Sequence, residues 1–334
     1  MAGTGTAHLH AESEALLRVE NLTVEFPVGR TGLKVHAVSG ISFDVLPGET
    51  LGLVGESGCG KSTTGKAVIQ LPPPTGGSIV FQGQDLTQLR GEKVRQLRTN
   101  VQMIFQDPIS SLNPRRRVRD IVAEPLHVWG IGTKEERARK VDEVLETVGI
   151  DPSTADRRPH QFSGGQCQRI SIARALVLEP KMLICDEPVS ALDVSVQAQV
   201  LNLLEDLKAK YGLTMVFIAH DLAVVKNVSD RVCVMYLGKV CEVAPSDDLY
   251  DRPAHPYTSR LLDSIPVPNP EVKPDPTNRI QGELPSPMAP PSGCRFRTRC
   301  PIAQERCASE EPQLRDIGQG HYVACHFPLV GAPT

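Results

Sequence analysis

Residues 55–62 read Gly-Glu-Ser-Gly-Cys-Gly-Lys-Ser and follow directly on Thr50-Leu51-Gly52-Leu53-Val54, an uncharged run that reads as a short buried strand. With a helix-compatible stretch at 63–70 behind it, the segment is strand, glycine-rich turn and helix in the pattern G-x-x-x-x-G-K-[ST]. No other feature limits the fold so tightly. The glycines let the backbone curl so that successive N–H groups face an anion, and the helix turns its positive end on the same charge. Nucleotide phosphates fit this cradle: Lys61 would neutralise the β- and γ-phosphates, and the Ser62 hydroxyl would hold Mg²⁺. Gly55, Glu56, Ser57, Gly58, Cys59, Gly60, Lys61, Ser62 and Thr63 are the expected contacts. Cys59 lies inside the loop, so alkylation of its thiol is expected to block nucleotide. The competing reading is a glycine-rich turn that happens to contain Lys-Ser, and the flanking strand and helix weigh against it.

A phosphate loop of this kind needs a carboxylate at the end of another strand. Met182-Leu183-Ile184-Cys185-Asp186-Glu187 supplies two acids after four apolar residues. Asp186 can reach the Mg²⁺ shell, and Glu187 can orient or deprotonate an attacking water. A third segment, Phe162-Ser163-Gly164-Gly165-Gln166, precedes Ile170, Ala173, Leu176 and Val177 at helical spacing. Ser163 is a natural N-cap, and two glycines permit close backbone approach at a second anion-binding helix end.

In this order the segments resemble the ATP-binding subunits of ABC transporters, whose signature is a Ser-Gly-Gly-Gln of this kind. The resemblance implies an α/β P-loop NTPase cassette: a parallel-sheet core, an antiparallel β subdomain and a helical signature subdomain at about 107–178. It also implies a head-to-tail pair in which Ser163, Gly164, Gly165 and Gln166 of one subunit close on nucleotide held by the other. Gln106 matches the glutamine that senses Mg²⁺. Asp193, in Ser190-Ala191-Leu192-Asp193, matches the loop that crosses the dimer interface, and His220 matches the histidine that touches the γ-phosphate. Phe26 resembles the aromatic that stacks on adenine. The catalytic set is thus expected to be Glu187, His220 and Gln106, with Ser62, Gln106 and Asp186 around Mg²⁺.

The rest of the chain agrees with an α/β core. Leu17-Arg18-Val19-Glu20 and Leu22-Thr23-Val24-Glu25-Phe26 alternate as half-buried strands do, 134–148 and 195–210 carry apolar residues at helical spacing, and 215–219 is a further apolar run. Of 334 residues 40% are hydrophobic, enough for a core and too many for a disordered chain. The net charge of −3 lacks the basic excess expected of a nucleic-acid binder, and no aromatics interleave with Arg115-Arg116-Arg117 and Arg119. A solvated or acid-paired face is expected there. Residues 1–15 read as a flexible leader without a secretory signal, and no apolar run approaches the ~18 residues of a membrane span. A cytosolic, reducing setting follows as an expectation.

After Ala244 the composition changes. Twelve prolines between Pro245 and Pro291 read as an extended connector, leading to a small Cys-rich extension within 245–334; the cassette is expected to occupy 16–244. Five of the nine cysteines are scattered, and Cys294, Cys300, Cys307 and Cys325 crowd the tail. Their spacing lacks the C-x2-C knuckles of a zinc ribbon. An iron–sulfur cluster, a zinc site of unusual spacing and four unligated thiols all remain open, and the family resemblance points to [4Fe–4S].

The segments at 107–115 and 255–262, and those around Gly282–Pro287 and Pro291–Pro301, are similar to the oligopeptide/dipeptide importer branch, specifically its F-type subunit. This implies ATP-driven peptide import at the cytoplasmic face of the membrane. The implied partners are a paralogous ATP-binding subunit, two transmembrane permease subunits and an extracytoplasmic peptide-binding protein. Other members of the branch carry nickel or other small cargo. The reading from another class, a soluble ABC ATPase of DNA repair or translation, calls for a coiled-coil insertion or a second cassette, neither of which is present. A redox-sensing metal module with a degenerate ATPase is disfavoured by the intact phosphate-contacting positions.

Overall fold

The computed structural model describes residues 5–265, 280 and 282–329. The chain divides into two compact units, one built from 1–89 and 217–334 and the other from 90–216.

The first unit begins with β1 (Leu17–Pro27) and β2 (Lys34–Val45), which pair antiparallel. The apolar residues of β1 change parity, from Leu17 and Val19 to Leu22 and Val24, yet all four are buried. A strand of period two cannot hold both sets on one face without an extra residue, and the register shift between Val19 and Leu22, with Asn21 at φ +50°, supplies it. Next come β3 (Thr50–Val54), buried at every position, α1 (Lys61–Val68), β4 (Gly76–Phe81) and β5 (Gln84–Asp85). One antiparallel sheet has the order β2-β1-β4-β5.

The second unit contains α2 (Glu92–Asn100), β6 (Val101–Ile104), α3 (Pro108–Ser111), α4 (Val118–Val128), α5 (Lys134–Thr147), α6 (Gly164–Leu176), β7 (Met182–Asp186) and α7 (Val194–Tyr211). β6 and β7 run parallel, with Val101 opposite Met182 and Ile104 opposite Cys185. α5 starts where the sequence places it because Thr133 and Glu136 form a reciprocal capping box. α7 stops at Gly212, whose φ of +62° is the left-handed geometry of a helix C-terminus. α4 packs on α5 and α6, burying Val118, Ile121, Val122 and Leu126.

β8 (Thr214–Ala219), wholly buried, carries the chain back to the first unit. There α8 (Leu222–Val228) precedes β9 (Arg231–Tyr236), which pairs parallel with β3, and β10 (Lys239–Pro245), antiparallel to β9.

Two sequence expectations change here. The stretch from 245 is not uniformly extended: α9 (Ser246–Asp251) and α10 (Pro256–Asp263) form within it. Pro256 occupies the first turn of α10, where a missing N–H costs nothing and the fixed φ favours the helix. Pro266, Pro268, Pro270, Pro274 and Pro276 lie outside the described residues. Beyond them come α11 (Glu305–Ser309), β11 (Arg315–Asp316) and β12 (Tyr322–Val323), and β12 pairs with β10, so the tail continues the sheet that contains β3. The leader is docked as well. His8 is buried and its Nε2 lies 2.7 Å from the Ser42 carbonyl, while the His10 amide donates to Asp44 at 2.6 Å. The buried Asp44 in turn pairs with Arg231 at 2.9 Å.

Candidate nucleotide-binding site

In the first unit the phosphate loop joins β3 to α1, and its shape demands glycine at two points. Gly55 has φ +150°, and a Cβ there would sit 2.1 Å from the Met235 carbonyl oxygen; at Gly60, φ is +105° and a Cβ would meet the Ala37 oxygen at 2.2 Å. Both obstacles are backbone and cannot swing aside. Lys61 is buried, and its ammonium donates to the Gly55 carbonyl at 2.7 Å and the Glu56 carbonyl at 3.1 Å. It thus closes the loop into a ring of backbone around one cation. No side chain caps the start of α1, the place where a phosphate caps the helix in this motif. Ser62 and Thr63 follow in the first turn. Cys59 corrects the expectation about alkylation: it is 1% exposed, and burial pushes its thiol pKa up, so reagent access and thiolate are both scarce.

Phe26, expected against adenine, lies near the end of β1 opposite Val35 and is partly exposed. His220 is exposed at the end of β8, followed by Asp221, whose carboxylate caps α8 through the Ala223 amide at 2.8 Å.

In the second unit, Asp186 closes β7 and is buried, and Glu187 steps out of the strand into the left-handed region at φ +47°. A non-glycine residue held there marks a place where the surrounding structure dictates conformation. The Gln106 side-chain amide donates to Glu187 Oε2 at 2.9 Å, joining two of the predicted residues. This bond fixes which way the Gln106 amide faces, leaving its carboxamide oxygen as the acceptor that suits a hard cation. The Ser190 hydroxyl donates to the Glu187 carbonyl at 3.1 Å, tying the following loop to the same residue. Asp193 begins α7; its carbonyl accepts from Val196 and Gln197 while its side chain makes no cap bond.

Ser163 caps α6 as the sequence indicates. Gln166 N–H donates to its hydroxyl at 3.3 Å and the Gln166 side-chain oxygen accepts from the Ser163 amide at 2.9 Å. Gly165 is confined by α7, since a Cβ there would come 2.4 Å from Val196 Cγ1. Cys167, directly after Gln166, is buried, with its Sγ 3.5 Å from the Pro159 carbonyl. The arginine run is acid-paired: Arg116 with Glu124, Arg117 with Asp156 at 3.1 Å and Arg119 with Asp142 at 2.7 Å.

A family model for the ABC transporter matches residues 38–190, and one for the oligopeptide/dipeptide transporter C-terminal region matches 241–307. The chain is 52% identical to the oligopeptide transport ATP-binding protein AppF of Bacillus subtilis, over 95% of this chain and 98% of that one. The chain belongs to the ABC transporter family. It is 48% identical to the oligopeptide transport ATP-binding protein OppF of Salmonella typhimurium, across 94% of this chain and 96% of that protein. Among solved structures, the dimeric post-hydrolysis state of the ATP-binding cassette MJ0796, bound to ADP and Pi, matches with a TM-score of 0.63 at 27% identity, covering 69% of this chain and 98% of that one. The fold is therefore the ABC ATPase cassette.

Cys294, Cys300, Cys307 and Cys325 line one small cavity of the first unit, together with His255, Phe296 and His326. Burial raises the Cys294 thiol to about 11 and the Cys325 thiol to about 12, and the neighbouring thiols add to both shifts. Soft sulfur donors suit iron or zinc, but among the described residues no three Cys, His, Asp or Glu are arranged to hold a metal ion. The expected iron–sulfur site is therefore not supported by this arrangement.

Residues missed by sequence reasoning lie behind the phosphate loop. The Tyr257 hydroxyl accepts from the Glu56 amide at 2.8 Å, and the Arg299 guanidinium grips the Glu56 carboxylate with bonds of 2.6 and 3.0 Å. Both lie in segments singled out only for their likeness to a transporter branch, and nothing local to either names its partner.

Proposed function

We propose that this chain is the ATP-hydrolysing subunit of a peptide importer, driving oligopeptide or dipeptide uptake by closing and reopening a head-to-tail dimer of cassettes. The observation that carries the catalytic part is the Gln106–Glu187 bond, which holds a carboxylate at a strand end in a strained backbone geometry beside the buried Asp186. Mg²⁺, when bound, would neutralise phosphate charge, and the oxygen donors Ser62, Gln106 and Asp186 suit it. Within that reading Lys61 and the loop amides bind phosphate, Glu187 orients water, and Ser163, Gly164, Gly165 and Gln166 meet the nucleotide of the partner cassette. Asp193 lines the interface, His220 approaches the γ-phosphate and Phe26 stacks on adenine. The match of 241–307 to the oligopeptide/dipeptide transporter C-terminal region supports peptide cargo over nickel or DNA repair.

The partners in this reading are two membrane permeases, an extracytoplasmic peptide-binding protein and a paralogous cassette. The subunit sits at the cytoplasmic face of the membrane, held by the permeases; no helix among the described residues is long and apolar enough to cross. Residues 16–244 would act as the cassette and 245–334 as its extension. The [4Fe–4S] or zinc reading of the four tail thiols has one support, the cavity they share, against the lack of a metal-holding arrangement among the described residues. Glu187→Gln tests the catalytic assignment. It is expected to bind MgATP normally and lose about 10²-fold or more in hydrolysis, as removal of a general base does, and near-normal turnover would overturn it.

A further inference from the structure

A carboxylate inside a phosphate-binding loop is electrostatically adverse, because it places negative charge beside an anion the loop exists to attract. Glu56 is such a residue, second in the loop and only partly exposed. Its backbone is fixed at both ends of the residue: the amide donates to the buried Tyr257 hydroxyl, and the carbonyl accepts from Lys61. The backbone therefore cannot carry the charge away from the loop, and only the side-chain torsions of Glu56 can turn it.

Arg299 meets this charge with a bidentate pair, Nη1 to Oε2 at 2.6 Å and Nη2 to Oε1 at 3.0 Å, and its own side chain is 7% exposed. The guanidinium lies over the Tyr236 ring at 5.8 Å; Tyr236 packs edge to face with Tyr257 and Phe296 at centroid distances of 4.8 and 5.2 Å, and Tyr257 lies tilted against Phe296 at 5.2 Å. Arg299 is thus held on an aromatic base, so little side-chain freedom remains to be lost when it binds the carboxylate. The C-terminal region also meets the loop elsewhere. A Cβ on Gly58 would lie 3.9 Å from Leu284.

We propose that Arg299 is a positioning and charge-compensating residue of the nucleotide site: it cancels the Glu56 carboxylate within the phosphate loop, so the C-terminal region sets the affinity of this cassette for nucleotide. The inference rests on the ATPase reading above. It gives the tail a task at the nucleotide, independent of any metal at its cysteines.

The test is MgATP affinity of the full chain, read with a fluorescent ATP analogue, for wild type, Lys61→Ala, Arg299→Gln, Arg299→Lys and Glu56→Gln/Arg299→Gln. Arg299→Gln strands the carboxylate and is expected to weaken binding about tenfold, the scale of one lost charge-assisted contact. Arg299→Lys keeps the charge and loses under about threefold. The double variant removes the stranded carboxylate and returns to within about threefold of wild type, although it has lost both partners of the pair. A pair whose own bonds hold the loop in place would not show this rescue, because the double variant lacks those bonds too. Wild-type affinity in Arg299→Gln overturns the proposal, as does a double variant as weak as Arg299→Gln, or Arg299→Lys as weak as Arg299→Gln. Should Arg299→Gln fail to fold, Arg299→Lys and the double variant carry the same decision. If wild type itself binds no MgATP, or binds no better than Lys61→Ala, the ATPase reading fails instead.

Discussion

Gly164 and Gly165 open the signature helix side by side, and the structure separates their roles. A methyl group on Gly164 would lie 3.6 Å from Leu192 Cδ2, an ordinary contact, whereas on Gly165 it would come 2.4 Å from Val196 Cγ1. Neither glycine has a positive φ, so alanine suits both backbones and gains up to about 1 kcal/mol of helix propensity. At Gly165 that gain meets an overpacking cost of about 1–3 kcal/mol, because Val196 is β-branched and stiff at χ1. The cost wins. Gly165→Ala should destabilise by about 1–2 kcal/mol, and adding Val196→Ala, which opens the space, should recover most of it. Gly164→Ala should be neutral or slightly stabilising in the same chemical-denaturation experiment. Its ATPase activity in the assembled transporter should nevertheless fall at least about tenfold if close approach to a partner's nucleotide is what the glycine is for. Stability and activity would then part at one residue and fall together at the next. Equal denaturation midpoints for Gly165→Ala and wild type would refute the steric argument, and full activity in Gly164→Ala would refute the signature assignment.

Acid should weaken the first unit through His255. Burial holds this ring neutral and brings its pKa down to about 4, while its Nδ1 accepts from the Tyr257 amide at 3.0 Å as the cap of α10. The unfolded chain takes up a proton near the ordinary value of 6.5 and the folded one only near 4. The unfolded state therefore binds more protons between those values, and stability declines as pH falls through that window, by up to about 3 kcal/mol. His255→Asn keeps a cap acceptor and should flatten the decline; an unaltered pH slope would refute the assignment. For the tail cysteines, full-length protein purified without air should contain iron with acid-labile sulfide, or stoichiometric zinc, if they are ligands. Metal-free protein of full stability would leave four structural thiols.

What was legible in the sequence was local. The glycine-rich loop, the acid pair at the end of β7, and the Ser163 cap each declare themselves within a few residues, because phosphate binding, strand burial and helix capping all act over that distance. The helices at 134–147 and 194–211 followed from apolar spacing for the same reason. The proline-rich stretch misleads because proline breaks a helix interior but suits a helix start, and Pro256 begins a helix. The leader and the tail were illegible for a different reason. Glu56 and Arg299 stand 243 positions apart, and His8 and Ser42 stand 34 apart, so no periodicity could announce either contact.

A weaker signal was nonetheless present. The loop motif leaves its second position free, and a glutamate there is a cost to phosphate binding unless something cancels it. A residue that makes a site worse in isolation implies a partner elsewhere in the chain, and an arginine is the side chain best suited to meet a fixed carboxylate in two bonds. Of the arginines beyond the cassette, Arg299 is the one the fold delivers, because β12 joins β10 and draws the tail back against the sheet that ends in the loop. The C-terminal region is then more than an appendage to a self-sufficient nucleotide site. Its removal would leave Glu56 uncompensated and take away the Tyr257 hydroxyl that accepts from the Glu56 amide.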